Sequence, residues 1–198
     1  SDAQELYEIT SATFRRLLPG LGGLLYVIRA SRDHAELVAQ WGGAVAPNDP
    51  SPALQACWSV RRHAPFAMDD LRHGLRCSHI GRPHGAEDVH GLCVPLSAHG
   101  EVVGWLSLQG EGHGHIPDES LAIRLCEQLS LALANVRLRE SLRHQAVRDP
   151  LTGLFNRRYL EESLAREIAR CQRREQPLAV LMLDVDHFKA FNDRHGHA

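Results

Sequence analysis

The stretch 91-GLCVPLSAHGEVVGWLSLQG-110 alternates apolar with small or polar residues on both sides of His99-Gly100. Leu92, Val94 and Leu96 share one face of its first half, and Val102, Gly104, Leu106 and Leu108 share one face of its second. Period two on both arms, with a turn pair whose glycine tolerates positive φ, predicts a β-hairpin. An apolar hairpin face must be covered, so more strands and a helical layer are needed. Upstream, 23-GLLYVIRA-30 and 36-ELVAQWG-42, joined by a polar linker, read as a further strand pair.

Helices surround these strands. In the opening segment, Leu6, Ile9, Phe14, Leu17 and Leu18 recur at near-helical spacing, and Pro19-Gly20 ends the run. Ser51-Pro52 resembles a helix start for 51-SPALQACWSVRRH-63, with Leu54, Cys57 and Trp58 on one face. From Asp70 to Gly91 the chain is rich in Gly, His and Arg and predicts a long loop. After it, the stripe Leu125, Leu129, Ala132, Leu133 and Val136 predicts a helix over 118–147, with Asp118 as its cap. At 1.5 Å per residue that helix is about 45 Å long, more than one small domain requires. Its second half is charged apart from a thin apolar line, which fits a coiled-coil linker; a surface helix broken near Asn135 is the alternative. Beyond Pro150 come a helix from about Asn156 to Arg174 and, after Pro177, 178-LAVLMLDV-185, apolar on both faces as a central strand is.

Composition narrows the function classes. The chain has 198 residues, 43% of them hydrophobic, and a formal net charge of -2, so it has a core but no basic footprint for nucleic acid. No apolar run reaches the ~20 residues a membrane span needs, and the N-terminus lacks a signal-peptide pattern. The expected location is the cytoplasm. Five cysteines at irregular spacing fit reduced thiols better than a disulfide framework. Of 13 histidines, eight (His63, His73, His79, His84, His90, His99, His113 and His115) lie between positions 63 and 115. Apart from His79, they are solvated loop residues or, alternatively, a pH-sensitive cluster.

Two resemblances follow. The blocks 148-RDPLTGLFNRRYL-160 and 181-LMLDVDHFKAFNDRHGH-197 resemble the first half of the GGDEF domain of diguanylate cyclases. The element order before them, together with 93-CVPLSAHGEVVGWLSL-108, resembles a GAF sensory domain. The implied fold class is α+β: a GAF-like antiparallel sheet flanked by helices over 1–137, a helical linker over 138–148, and a truncated α/β GGDEF fragment over 149–198. The GGDEF resemblance implies that Asp184 and the Val185 carbonyl hold magnesium or manganese. By the same resemblance, amides around His187 and Phe188 and the Lys189 side chain meet the phosphates of GTP, and Asn192 meets guanine. Asp186 and Asp193 match family positions with structural roles. The Gly-Gly-Asp/Glu-Glu-Phe loop is not within these residues, so the chain itself is expected to be inactive. The expected protein is a signal-sensing module controlling the conversion of two GTP to cyclic di-GMP plus pyrophosphate, a homodimer through the linker, with no nucleic-acid partner. The alternative is a non-catalytic sensor or interaction module with a degenerate GGDEF-like domain.

Within the GAF-like half, Cys57, Cys77, His79 and Cys93 supply the donor set of a tetrahedral site for zinc or another soft metal. Cys77 and His79 are expected on one side of an extended segment, Cys57 facing inward on its helix, and Cys93 on the hairpin. Packing cysteines are the competing interpretation, since free cysteine is commonly buried; a redox site is a third. Cys126 and Cys171 lie on apolar helix faces and are read as packing. The Cys-Ser-His order does not reproduce the adjacent Cys-His pair of bilin-binding GAF domains. No histidine is singled out for haem, and no cyclic-nucleotide signature is found.

Overall fold

The structure, a computed structural model, describes residues 2–29, 31–83, 88–112 and 114–196. The chain divides into two compact units, Ser1–Ser141 and Leu142–Ala198.

In the first unit, helix α1 (Asp2–Leu17) leads into strands β1 (Gly22–Ile28) and β2 (Ala35–Trp41). A short helix α2 (Trp58–Arg62) and a three-residue strand β3 (Phe66–Met68) follow. The hairpin β4 (Val89–Ala98) and β5 (Glu101–Glu111) comes next, then the long helix α3 (Glu119–Val147). The five strands form one antiparallel sheet in the order β2-β1-β5-β4-β3. His99 and Gly100 both have positive φ, 53° and 81°, as a two-residue hairpin turn requires.

The sheet separates two cores. On one face Leu25, Leu92, Val94, Leu96, Leu106 and Leu108 pack with Phe14 and Leu18 and with Ala122, Cys126, Leu129 and Leu133 of α3. On the other, Leu24, Tyr26, Cys93 and Trp105 pack with Cys57, Val60, Leu71, Cys77 and Ile80. The alternation slips once. A register shift beside Leu96/Ser97 puts Val103, not Val102, in the first core.

Other expectations need correction. Ile9 and Leu17 are exposed; the buried stripe of α1 runs through Thr10, Ser11 and Phe14 and continues to Leu18 just past its end. Its two hydroxyls are accommodated because they donate to the carbonyls of Leu6 and Tyr7, at 2.7 and 2.9 Å. Residues 51–63 are not one helix. The Pro50 and Pro52 carbonyls accept from Leu37 and Ala35 N–H of β2, so this stretch follows the sheet edge instead of coiling. Only a 3-10 turn (Leu54–Ala56) and α2 remain helical, Cys57 between them is extended, and Trp58 turns outward. Strand β3 is too short to show a period in the sequence.

Gly104 faces the Tyr26 carbonyl so closely that a Cβ there would lie 2.2 Å from its oxygen. Gly104→Ala is therefore expected to cost about 1–3 kcal/mol by overpacking, seen as a lower urea midpoint.

In the second unit, Asn156 caps helix α4 (Arg157–Arg174) by accepting from Tyr159 N–H at 2.9 Å. Asp149 Oδ1 closes the preceding turn by accepting from the N–H and hydroxyl of Thr152 at 2.9 and 2.8 Å. The expected strand over 178–185 is not formed. Those residues have no regular structure, and Leu181, Met182 and Leu183 are exposed. A central strand exists only through its neighbours, and the described residues of this unit contain no strand with which it could pair. A short helix α5 (Phe188–His195) follows.

Candidate functional site

On the second face of the sheet, the donor atoms of Cys57, Cys77, His79 and Cys93 all lie within 4.8 Å of one another, and all four residues are buried. Three separate segments deliver them. Cys57 is the N-cap of α2, with φ -106° and ψ 120°, rather than a residue on a helix face. Cys77 and His79 belong to a turn, not an extended segment: Ile80 N–H donates to the Cys77 carbonyl at 3.1 Å, which folds both side chains towards β4. Cys93 sits on β4 opposite Ser107 of β5 and Phe66 of β3.

Hydrogen bonds from a neighbouring segment hold the loop. Asn48 donates through Nδ2 to the carbonyls of Ser78 and Ile80, at 2.9 and 3.1 Å, and through its backbone N–H to the His79 carbonyl at 3.0 Å. Gly81 N–H donates to the Ala46 carbonyl at 3.1 Å. At the sulfurs, Trp58 N–H donates to Cys77 Sγ at 3.3 Å, and the Ser59 hydroxyl lies 3.1 Å from Cys57 Sγ. His79 Nε2 is 3.7 Å from Cys93 Sγ. The imidazole is oriented by aromatic packing: Tyr26 meets it edge-on at 5.1 Å, Trp105 lies 5.3 Å away, and Tyr26 and Trp105 stack at 4.8 Å. Asn48 and this aromatic pair carry no motif, so sequence alone did not mark them.

Burial opposes ionisation of Cys57, yet donation from Cys77, Cys93 and His79 outweighs it and brings the thiol well below its usual range. That donation to Cys57 pushes Cys77 up to about 12. Cys93 is raised by burial first and by the same neighbours second. Three sulfurs and one imidazole nitrogen in this space are the soft donors that a zinc-type cation takes. All five cysteines are free thiols, Cys126 buried and Cys171 half-buried on their helices.

The other histidines do not gather here. His90 is buried on β4 with Nδ1 2.9 Å from the Gly112 carbonyl. His63, His73, His99 and His115 are exposed, while His84 and His113 lie outside the described residues.

The residues expected to meet GTP lie in the second unit. Asp184 and Val185 end the irregular segment, His187 has φ 58°, and Phe188 and Lys189 open α5; all five are exposed. The side chain of Asn192 lies outside the described residues. Asp186 and Asp193 are exposed as well.

Comparison with solved structures decides the first unit. It superposes on the GAF domain of a phosphoenolpyruvate-protein phosphotransferase from Coxiella burnetii with a TM-score of 0.57 at 16% identity, over 70% of this chain and 86% of that one. The first unit has the GAF fold. The GAF-B domain of DevS from Mycobacterium smegmatis gives 0.52 at 19% identity, over 72% of this chain and 99% of that one. Beyond the GAF unit, residues 146–198 match the family model described as diguanylate cyclase, GGDEF domain. Diguanylate cyclase DgcS of Shewanella oneidensis is 39% identical over 82 residues, 41% of this chain and 28% of that protein. An uncharacterized signaling protein of Caulobacter vibrioides is 36% identical over 208 aligned positions, 96% of this chain and 24% of that protein. The chain thus spans about a quarter of the length of these curated relatives. No helix among the described residues is long and apolar enough to cross a membrane.

Proposed function

We propose that these residues are the sensory and connecting part of a diguanylate cyclase, in which the GAF unit controls how readily two catalytic domains join two GTP molecules into cyclic di-GMP and pyrophosphate. The observation that carries this is the GGDEF match over 146–198, which begins within the same uninterrupted helix that packs on the GAF sheet. Asp184 and the Val185 carbonyl would hold magnesium or manganese; both donors are oxygens, the class these ions take, and Asp184 is exposed to receive one. An ion held there would neutralise charge at the phosphates and lower the pKa of the attacking hydroxyl. Lys189 and the amides near His187 and Phe188 would bind and orient the phosphates, and Asn192 the guanine. A GTP-dependent reaction belongs in the cytoplasm.

Two half-sites must meet, and α3 offers the means. Leu131, Leu138 and Leu142 are exposed along it, with Asn135 between them, at the 4-3-4 spacing of a two-stranded seam. Leu138→Glu is expected to weaken self-association at least ~10-fold by placing like charges in that seam, read by sedimentation equilibrium; an unchanged dimer would assign the face elsewhere.

The test of the whole proposal is GTP turnover by the polypeptide that carries these residues together with a downstream signature loop. Cyclic di-GMP and pyrophosphate formation supports it. GTP binding without product would favour a non-catalytic sensor.

A further inference from the structure

We propose that Cys57, Cys77, His79 and Cys93 are a closed site for one zinc-type ion, which clips the 77–81 turn and the start of α2 to the sheet of the GAF unit. The inference concerns that unit alone and stands whether or not the protein is a cyclase.

Geometry carries the argument. With Zn–S near 2.3 Å and Zn–N near 2.0–2.1 Å, the edges of a tetrahedron of three sulfurs and one nitrogen are about 3.5–3.8 Å. The Cys93 Sγ to His79 Nε2 separation of 3.7 Å already matches such an edge, and no pair of donor atoms exceeds 4.8 Å. Closing the set around an ion therefore asks for shifts of about an ångström, within the reach of χ rotations in a turn. The backbone and hydroxyl groups at Cys77 and Cys57 sulfur are the kind of outer partners that orient thiolate ligands.

Ordinary core packing accounts for this set less well. Apolar packing explains buried cysteines singly, as with Cys126, but not three thiols converging on an imidazole nitrogen from three separate segments. A disulfide among them would use two thiols and leave the third unpaired beside His79. The donor set also names the ion class: thiolate and imidazole select zinc over magnesium or calcium. All four ligand residues are buried, and four protein donors complete a tetrahedron, so the geometry is that of a structural site rather than a catalytic one.

The ion adds a direct tie to the sheet for segments otherwise held through Asn48, Ala46 and the Leu71 N–H bond to the Val89 carbonyl. Between β3 and β4 the chain has no regular structure among its described residues, and the side chains it buries there are the four of Leu71, Cys77, His79 and Ile80, beside the buried Gly81. Two of those four are ligands.

The experiment is metal analysis of the protein purified without chelator, followed by cobalt substitution. We expect about one zinc per chain, its loss in Cys77→Ser and Cys93→Ser, and its retention in Cys171→Ser, whose thiol belongs to the second unit and is not one of the four donors. Cobalt should give the intense visible bands of a tetrahedral thiolate complex. Stripping the metal should lower the thermal midpoint by about 10 °C or more, and stoichiometric zinc should restore it. If the serine variants fail to fold, zinc competition between the wild-type protein and a chromophoric chelator decides the same point. Metal-free protein with no affinity for zinc in that competition, or a disulfide among Cys57, Cys77 and Cys93 in the folded protein, overturns the proposal.

Discussion

Trp105→Ala is expected to lower the stability of the GAF unit by about 3–5 kcal/mol, the range for removing a fully buried large aromatic. Trp105 has no exposed surface and fills the second core between Tyr26, against which it stacks, and His79. Alanine leaves a cavity that the neighbouring strand backbone cannot close, because β5 is paired on both sides by β1 and β4. Urea unfolding followed by circular dichroism measures the shift, which corresponds to a thermal midpoint lower by roughly 10–15 °C. Trp105→Phe should cost far less. It keeps a ring against Tyr26 and removes an indole N–H that is buried without an acceptor. An alanine variant as stable as the phenylalanine one would mean that this core is not the packed layer described. The alanine variant should also hold zinc more weakly, since the imidazole of His79 loses one of the two rings that fix its plane.

Asp184→Asn, in a polypeptide with an active catalytic domain, is expected to reduce cyclic di-GMP formation at least ~100-fold. A divalent ion that gathers phosphate oxygens supplies several kcal/mol of transition-state stabilisation, and each 1.36 kcal/mol is tenfold in rate. The amide keeps the shape of the carboxylate but removes its charge, so the ion is held poorly while the fold is untouched: Asp184 is exposed and packs in neither core. The measurement is product formation at saturating GTP over a magnesium titration, with unfolding monitored in parallel. Partial rescue at high magnesium is the signature of a weakened ligand. Full activity at ordinary magnesium would remove Asp184 from the proposed site.

How much could be seen in the sequence differs by element. The hairpin 91–110 was legible because period two and the His99-Gly100 turn agree, and α3 because its apolar stripe from Leu125 to Val136 has helical spacing and no glycine or proline follows before Pro150. The segment 51–63 misled because Ser-Pro marks a helix start by local preference, whereas the unpaired edge of β2 recruits the Pro50 and Pro52 carbonyls. The segment 178–185 misled for the converse reason: apolarity on both faces describes what a strand needs around it, not whether the neighbours are there. For the Cys/His set, residue types were visible and the convergence was not. The sequence separates Cys57 from Cys93 by helix α2, strand β3 and a long loop, and only the folded sheet brings β4 against α2. Asn48 and Trp105, which hold the set in place, resemble any loop asparagine and any core tryptophan until the fold is known.

Cys93 occupies a mechanically particular place. Its chain neighbours Leu92 and Val94 point through the sheet into the other core, where they share a packed layer with Cys126, Leu129 and Leu133 of α3. A strand residue cannot move along its sheet normal without carrying the residues on either side of it, and a close-packed layer has no slack to absorb the displacement. Tension applied to the sulfur of Cys93 is therefore delivered, one residue away, to the footing of the helix that leaves the domain. The sheet is thus a shared wall: Cys93, which faces one core, and Leu92 and Val94, which face the other, cannot be displaced separately.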